Sequence, residues 1–136
     1  MREVEVSRFV QASEPEVRQA LTPESMVGYE ASFEVGHVEE EPDGVVVTAV
    51  GRGLELDLVF DPDADGLAYE QRGTAGPFEE MWTTVALQRE NEGVRVTARS
   101  GVSLGLPVPG VSDRLAAWKR RGELDRGLRR LAEAVE

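Results

Sequence analysis

Apolar residues keep a helical spacing for more than two turns only near the C-terminal end, from Val111 to Glu136. One apolar stripe there consists of Val111, Leu115 and Trp118, and a second consists of Leu124, Leu128, Leu131 and Val135. At about 100° per residue, the second stripe is rotated from the first by roughly a third of a turn. Gly122, a weak helix former, lies where the stripes part. The pattern predicts a long helix whose second stripe packs as core, whose first stripe faces a cavity or its entrance, and which bends or rotates near Gly122.

Before this helix the chain is mostly typical of β-strands joined by turns. The first strand, Glu3 to Gln11, places Val4, Val6, Arg8 and Val10 on one face. Six more strand-like runs lie between Tyr29 and Leu104, and the first of them carries Tyr29, Ala31, Phe33, Val35 and His37 on one face. Tight turns between consecutive strands predict an antiparallel sheet with one face in water. The long helix is the element that can cover the other face.

A short helical region follows the first strand. The sequence from Ser13 to Glu16 has the form of a capping box, which predicts a helix that continues through Leu21. Thr22-Pro23 ends this helix and starts a further helical turn through Ser25 to Val27.

Arg8 interrupts the apolar face of the first strand. If the register is unbroken, its guanidinium points inward and needs a carboxylate, a water or a ligand, because an unpaired buried charge is costly. A bulge at Ser7 or Arg8 would instead turn Phe9 inward. The sequence leaves both alternatives open.

Trp82 lies in a run where it alternates with Met81, Thr83 and Val85. If those three side chains point inward, Trp82 points outward together with Phe78. An exposed Trp beside a Phe is typical of a dimer contact or the mouth of a cavity. A slip of one residue in the register would bury Trp82 instead.

The composition narrows the class of protein. At 136 residues the chain fits a single domain, 1–136, with a core of its own. The formal net charge of −11 repels phosphate backbones, so nucleic-acid binding is not expected. There is no cysteine, which excludes disulfides and thiolate metal sites. No signal peptide or membrane-length apolar run is recognisable, so we expect a cytoplasmic protein with no integral membrane association.

Candidate catalytic and metal-binding residues are few. His37 is the single histidine, which leaves it a packed, cavity-rim or ligand-binding role and excludes a multi-histidine metal site. Asp61 to Gly66 copies the first half of a calcium loop, but Arg72 stands where the bidentate Glu belongs, so a hairpin turn is the preferred interpretation. The basic residues of the long helix form either a solvated face or a docking patch for an anionic partner. We expect no metal, no cofactor and no identifiable catalytic residue.

Two segments and the long helix resemble the START/Bet v 1-like superfamily, also called the SRPBCC or polyketide cyclase/dehydrase and lipid-transport superfamily. Val4 to Leu21 (VEVSRFVQASEPEVRQAL) is similar to that family's first strand and following helix. Val85 to Ala98 (VALQRENEGVRVTA) is similar to its W-x-L-x-P...G-T-x-V-T hairpin, although Val85 replaces a frequent aromatic residue and Arg89 or its neighbour a proline. The resemblance covers nearly the whole chain, and its motifs are structural rather than catalytic.

The resemblance implies an α+β helix-grip domain, in which a curved antiparallel β-sheet of six to seven strands wraps around a long C-terminal α-helix. It also implies a cavity between sheet and helix and the non-catalytic binding or carriage of a small hydrophobic or amphipathic ligand, such as a lipid, a quinone or a polyketide-like molecule. A cyclase/dehydratase-type enzyme acting in the same cavity and a protein-interaction module are the alternatives. We expect a monomer or a weak homodimer.

The residues expected to bind the ligand come from the inward positions of the strands and from the first stripe of the helix. They are Arg8, Phe33, His37, Leu56, Leu58, Tyr69, Met81, Val85, Ala98, Ser100, Val111, Leu115 and Trp118. Burial of apolar area, at roughly 25 cal/mol per Å², supplies the affinity, and the polar members orient a polar group of the ligand. The enzyme alternative needs an acid/base pair in the cavity, for which the candidates are Arg8, His37, Tyr69 and Glu70.

Overall fold

The computed structural model describes residues 1–74, 78–104 and 109–136. In chain order the elements are β1 (Arg2–Val10), α1 (Glu14–Ala20), α2 (Pro23–Glu30), β2 (Glu34–Glu41), β3 (Gly44–Gly51), β4 (Leu54–Phe60), β5 (Leu67–Arg72), β6 (Glu80–Glu90), β7 (Gly93–Ser103) and α3 (Pro109–Val135). Within these residues, seven antiparallel strands form one sheet in the order β1-β7-β6-β5-β4-β3-β2. Helix α3 packs against β1, β7 and α2. The predicted α+β helix-grip fold is confirmed.

The two short helices begin as the sequence predicts. Ser13 Oγ accepts a hydrogen bond from the Glu16 amide, and the Glu16 carboxylate accepts one from the Ser13 amide. Thr22 and Ser25 form the same reciprocal pair at the start of α2. Helix α2 continues to Glu30, further than the predicted turn. This extension carries the Glu30 side chain into the space between the sheet and α3, where it is buried.

Strand β1 pairs with β7 in an unbroken register, so no bulge turns Phe9 inward. Arg8 therefore stays on the same face as Val4 and Val10, opposite Val96. Its side chain is half-buried and does not line the cavity described below. The structure does not bring Arg8 to the predicted site, because the cavity on this face is lined by α2, α3 and strands β3 to β6 and not by β1.

Helix α3 presents one continuous face to the sheet. In its second half this face consists of Leu124, Leu128 and Leu131, which are at most 1% exposed, as predicted for the core stripe. In its first half the face continues with Ser112, Asp113, Ala116, Ala117, Arg120 and Glu123, all of them buried. The helix runs through Gly122 with the same face turned inward.

The first apolar stripe of α3 lies on the opposite face. Val111 and Leu115 are each 61% exposed and Trp118 is 77% exposed. The prediction that these three residues face the cavity itself is wrong, since none of them lines it. Trp118 lines the groove beside the cavity, described below, whereas Val111 and Leu115 do not. The inward positions of the first half are filled by small and polar side chains, and the apolar ones are turned towards water.

His37 does not face the interior either. Strand β2 begins only at Glu34, and its pairing with β3 shifts between Val35 and His37. The exposed His37 has its Nε2 atom 3.3 Å from Thr48 Oγ1. The prediction that His37 shares an inward face with Phe33 is wrong, because Phe33 precedes the strand and the shift breaks the alternation.

Trp82 lies on the outer face of the sheet, since its neighbours Met81 and Thr83 are buried on the inner face. It is half-buried against Gly101 of the neighbouring strand, where a Cβ atom would stand 2.3 Å from Trp82 Nε1. Phe78, however, is only 3% exposed. The prediction that Phe78 points outward with Trp82 is wrong, because Phe78 lies before β6 begins and does not follow its alternation.

Candidate functional site

A cavity lies between the sheet and α3, beside the end of α2. Its apolar wall consists of Val27, Phe33, Ala49, Leu56, Leu58, Phe78 and Met81, and its polar end of Glu30, Ser32, Tyr69, Arg120 and Glu123. The cavity volume is about 40 Å³. That is room for about two or three waters, whereas pockets for small organic molecules usually measure roughly 300–1,000 Å³. A larger ligand would therefore have to displace part of the wall.

The structure brings five of the predicted ligand-binding residues together on this cavity. They are Phe33, Leu56, Leu58, Tyr69 and Met81. Val85, Ala98 and Ser100 are buried in the same layer without lining it. That any of these eight residues binds a ligand stays a prediction.

Arg120 occupies the centre of the polar end and is 3% exposed. Its Nη1 atom forms ion pairs with Glu30 Oε1 and, at 3.2 Å, with Glu123 Oε1. These residues come from different parts of the fold, since Glu30 ends α2 whereas Arg120 and Glu123 lie one turn apart on α3. The buried guanidinium is thus neutralised by two buried carboxylates, as burial of a charge requires.

Hydroxyl groups from the sheet complete the coordination of Arg120. Its Nε atom donates to Ser100 Oγ at 3.2 Å, and its Nη2 atom donates to Thr83 Oγ1 at 2.8 Å and to the Tyr69 hydroxyl. Tyr69 in turn donates its own proton to Glu30 Oε2 at 2.6 Å. Every nitrogen of the guanidinium therefore has a partner, and the cluster fixes α3 against β5, β6, β7 and α2.

The ionisation of the cluster follows from these contacts. Burial alone would raise the pKa of Glu123, but Arg120, Ser32 and Lys119 outweigh it and hold that pKa below its ordinary value. Burial alone would lower the pKa of Arg120, and Glu30 leads the groups that keep it above its ordinary value instead. Burial raises the pKa of Tyr69 further than Arg120 lowers it. At neutral pH the cluster holds a charged arginine, a charged Glu123 and a neutral phenol.

An outer groove adjoins the cavity on the solvent side of α3. It is lined by Val6, Ser32, Arg52, Trp118, Lys119, Arg121, Gly122, Glu123, Asp125 and Arg126, and its volume is about 560 Å³. Ser32 and Glu123 line both the groove and the cavity. Ser32 Oγ donates a hydrogen bond to Glu123 Oε2, and Lys119 Nζ lies 2.9 Å from the same oxygen. These side chains form the boundary between the two spaces.

Glu30, Arg120 and Glu123 are not among the residues predicted from the sequence, because charged residues are seldom buried. A signal for Arg120 was nevertheless present. Counting back from Leu131 through Leu128 and Leu124 in helical steps leads to Arg120, then to Ala117 and Asp113. The stripe of leucines thus predicts which charged residue of the helix lies inward. No comparable pattern marks Glu30.

The described residues show no arrangement for a metal ion, since within them no three or more His, Asp or Glu side chains are grouped to hold one. Between β4 and β5, the Asp63 amide donates to Asp61 Oδ1 at 2.9 Å, in keeping with a hairpin turn. No helix in the described part of the chain is long and apolar enough to cross a membrane.

The exposure of Trp118 gives a first prediction. Trp118→Ala should change the free energy of unfolding by less than about 0.5 kcal/mol, because the side chain buries little area in the folded protein. Urea unfolding followed by far-UV circular dichroism measures this. A loss of several kcal/mol would mean that Trp118 packs in the core in solution.

Comparisons with known proteins place the fold. No protein-family model and no curated protein matches the sequence. Among solved structures, the protein XoxI from Bacillus cereus superposes with a TM-score of 0.77 at 16% identity, covering 99% of this chain and 96% of that one. A START superfamily protein from Mycobacterium smegmatis superposes with a TM-score of 0.71 at 14% identity, covering 98% of this chain and 96% of that one. Ara h 8.0201 superposes with a TM-score of 0.59 at 14% identity, covering 97% of this chain and 98% of that one. The chain therefore has the START/Bet v 1-like helix-grip fold that its sequence resembles.

Proposed function

We propose that the protein binds a small hydrophobic or amphipathic molecule, non-covalently, between the sheet and α3. The observation that carries this proposal is the composition of the cavity, in which an apolar wall from β3, β4 and β6 meets a polar end built by Arg120, Glu30 and Tyr69. Ligand sites commonly combine a mostly apolar lining with a few fixed polar groups. The fold shared with a START superfamily protein supports a ligand-binding role in general, because this fold binds ligands in that superfamily.

Binding requires the cavity to open towards the outer groove. The connection between α2 and β2 is short, and it contributes Ser32 and Phe33 to the cavity wall. Ser32 is joined to α3 through Glu123 and, at 3.3 Å, through Arg126. Loss of these hydrogen bonds and a rotation of Phe33 would join the cavity to the groove, and together they are large enough for a small organic ligand.

The cluster is less suited to acid/base catalysis than to binding. A general acid or base works best when its pKa lies near the pH of the reaction. Here the pKa values of Tyr69 and Arg120 are raised and that of Glu123 is lowered, so each moves away from neutrality. The carboxylate oxygens of Glu30 and Glu123 can still accept a hydrogen bond from a hydroxyl group of a ligand, whereas the N–H groups of Arg120 and the hydroxyl proton of Tyr69 already have acceptors in the protein.

Filling the cavity should weaken binding. Ala49 is 1% exposed and lines the cavity, so the longer side chain in Ala49→Leu would occupy the space. We expect wild-type protein to bind the neutral fluorophore N-phenyl-1-naphthylamine with a rise in emission, and Ala49→Leu to bind it at least about tenfold more weakly, equivalent to about 1.4 kcal/mol. Fluorescence titration measures both affinities.

The matched control is Ala86→Leu, which makes the same change at an exposed position of β6. It should bind the fluorophore like wild type, and circular dichroism should show that both variants are folded. Absence of binding by wild type, or equal binding by folded Ala49→Leu, would contradict the proposed site. Native mass spectrometry before and after organic extraction would show whether the purified protein retains a ligand.

A further inference from the structure

We infer that the ligand carries an anionic group and that this group binds in the outer groove, between Arg52 and Arg121, while the apolar part of the ligand enters the cavity. This inference rests on the proposed function and specifies the charge and the orientation of the ligand. Arg52 and Arg121 are not part of the buried cluster around Arg120, so they remain available to an anionic group.

The outer groove contains more cations than anions. Four basic residues line it, Arg52, Lys119, Arg121 and Arg126, against the two acidic residues Glu123 and Asp125. Lys119 is paired with Glu123 at 2.9 Å. Arg126 is held by the Glu30 carbonyl, to which its Nε donates at 2.7 Å, and by Ser32. Two basic side chains are left for a ligand.

These two are Arg52 and Arg121. Arg121 donates to the Glu5 carbonyl at 3.1 Å, and among the described residues neither Arg52 nor Arg121 has a carboxylate partner. Both side chains are exposed at the groove. On a chain with a net charge of −11, cations without an acidic partner are a local site of attraction for an anion.

Arg52 adopts a backbone conformation that is unfavourable for arginine, and this supports a functional role for its side chain. Arg52 and Gly53 form the turn between β3 and β4, with φ angles of 55° and 74°. Turns of this kind favour Asn or Gly at the first position, because a residue with a longer side chain is strained at positive φ. An arginine there places a cation at the groove at some cost to the turn.

The cavity itself is unsuitable for the anionic group. Arg120 is already bound to both Glu30 and Glu123. A ligand carboxylate or sulfonate that approached Arg120 would either leave the buried Glu30 without its ion-pair partner or leave Glu123 with Lys119 alone, and it would add a further negative charge to the buried cluster, which is strongly unfavourable. At the buried end the carboxylate oxygens can accept a hydrogen bond from a neutral hydroxyl group, so a negatively charged group is better placed outside. Trp118 adds an aromatic surface to the groove, on which an apolar part of the ligand can pack.

Two probes with one aromatic skeleton test this orientation. N-phenyl-1-naphthylamine is neutral, and 8-anilino-1-naphthalenesulfonate carries a sulfonate on the same skeleton. We expect the double variant Arg52→Gln/Arg121→Gln to bind the sulfonate about fivefold more weakly, equivalent to about 1 kcal/mol, and to bind the neutral probe within about twofold of wild type. The sulfonate's advantage in wild type should also shrink as salt rises, because exposed charges are screened.

The matched control is Arg129→Gln/Arg130→Gln, which removes the same charge from exposed positions of α3 outside the groove. If this control weakens sulfonate binding equally, only the net charge of the protein matters and the inference is overturned. The inference is also overturned if Arg52→Gln/Arg121→Gln leaves the affinity for both probes unchanged, or weakens both by the same factor. Loss of neutral-probe binding in Ala49→Leu would leave the proposed function standing in each case. If wild type binds no neutral probe, the proposed function fails separately.

Discussion

Arg120→Met should lower the free energy of unfolding by about 3–5 kcal/mol at pH 7, because breaking a buried ion pair leaves uncompensated charge behind. Methionine fills a similar volume with an apolar chain, so the loss comes mainly from Glu30 and Glu123. Both carboxylates are buried, and both have Arg120 as an ion-pair partner. Tyr69, Thr83 and Ser100 also lose a hydrogen-bond donor. Chemical unfolding monitored by circular dichroism measures the change.

The effect of Arg120→Met should depend on pH. In wild type the pKa of Glu123 is lowered on folding, so its contribution to stability is present above the ordinary pKa near 4.5 and is lost as the pH falls through the lower folded value. Without Arg120, the burial that raises this pKa is opposed only by Ser32 and Lys119. The folded variant should then bind a proton more readily than folded wild type, so its stability should fall less than that of wild type as the pH falls. The gap between variant and wild type should therefore narrow from pH 7 to about pH 4.5.

Arg129→Met is the matched control, since Arg129 is exposed on the same helix. It should cost less than about 0.5 kcal/mol at either pH. A small loss for Arg120→Met at pH 7, or a gap that widens on acidification, would show that the buried cluster is not charged as described.

The fold was predictable because its signals are local and repeated. Alternation in the strands, turn residues between them and the capping box at Ser13 each specify one element, and the antiparallel order follows from the short connections. The apolar wall of the cavity was predictable for the same reason, since Leu56, Leu58 and Met81 lie at alternating positions of regular strands. Ligand binding at that wall stays a prediction.

The predictions that proved wrong concern residues where the local alternation of polar and apolar positions breaks, or where an element extends further than the sequence predicts. His37 follows the register shift in β2, and Phe78 precedes β6, so neither obeys the alternation used to place it. Glu30 reaches the interior because α2 continues beyond its predicted turn, and that extension depends on packing against α3. Such tertiary effects are invisible to a count of polar and apolar positions.

Leu128→Ala should lower the free energy of unfolding by about 3–4 kcal/mol, because it removes a side chain that is 1% exposed and leaves a cavity in the core. The same substitution in the other stripe provides a matched comparison on one helix. Leu115→Ala removes a side chain that is 61% exposed and should cost less than about 0.5 kcal/mol, mainly through lost contact with neighbouring surface residues. Urea unfolding of both variants at one pH gives the two values directly.

The difference between these variants decides which side of α3 faces the sheet. Both substitutions replace leucine by alanine inside a helix, so the change in helix propensity is nearly the same and cancels in the comparison. The remaining difference in unfolding free energy reflects how deeply each leucine is buried and how far the surrounding residues relax into the space it leaves. A gap of roughly 3 kcal/mol would establish in solution that the single inward face of α3 runs through Leu128 and, one and two turns earlier, through Leu124 and Arg120. Equal losses would mean that Leu115 is buried as well, as a helix with two inward-facing stripes would require.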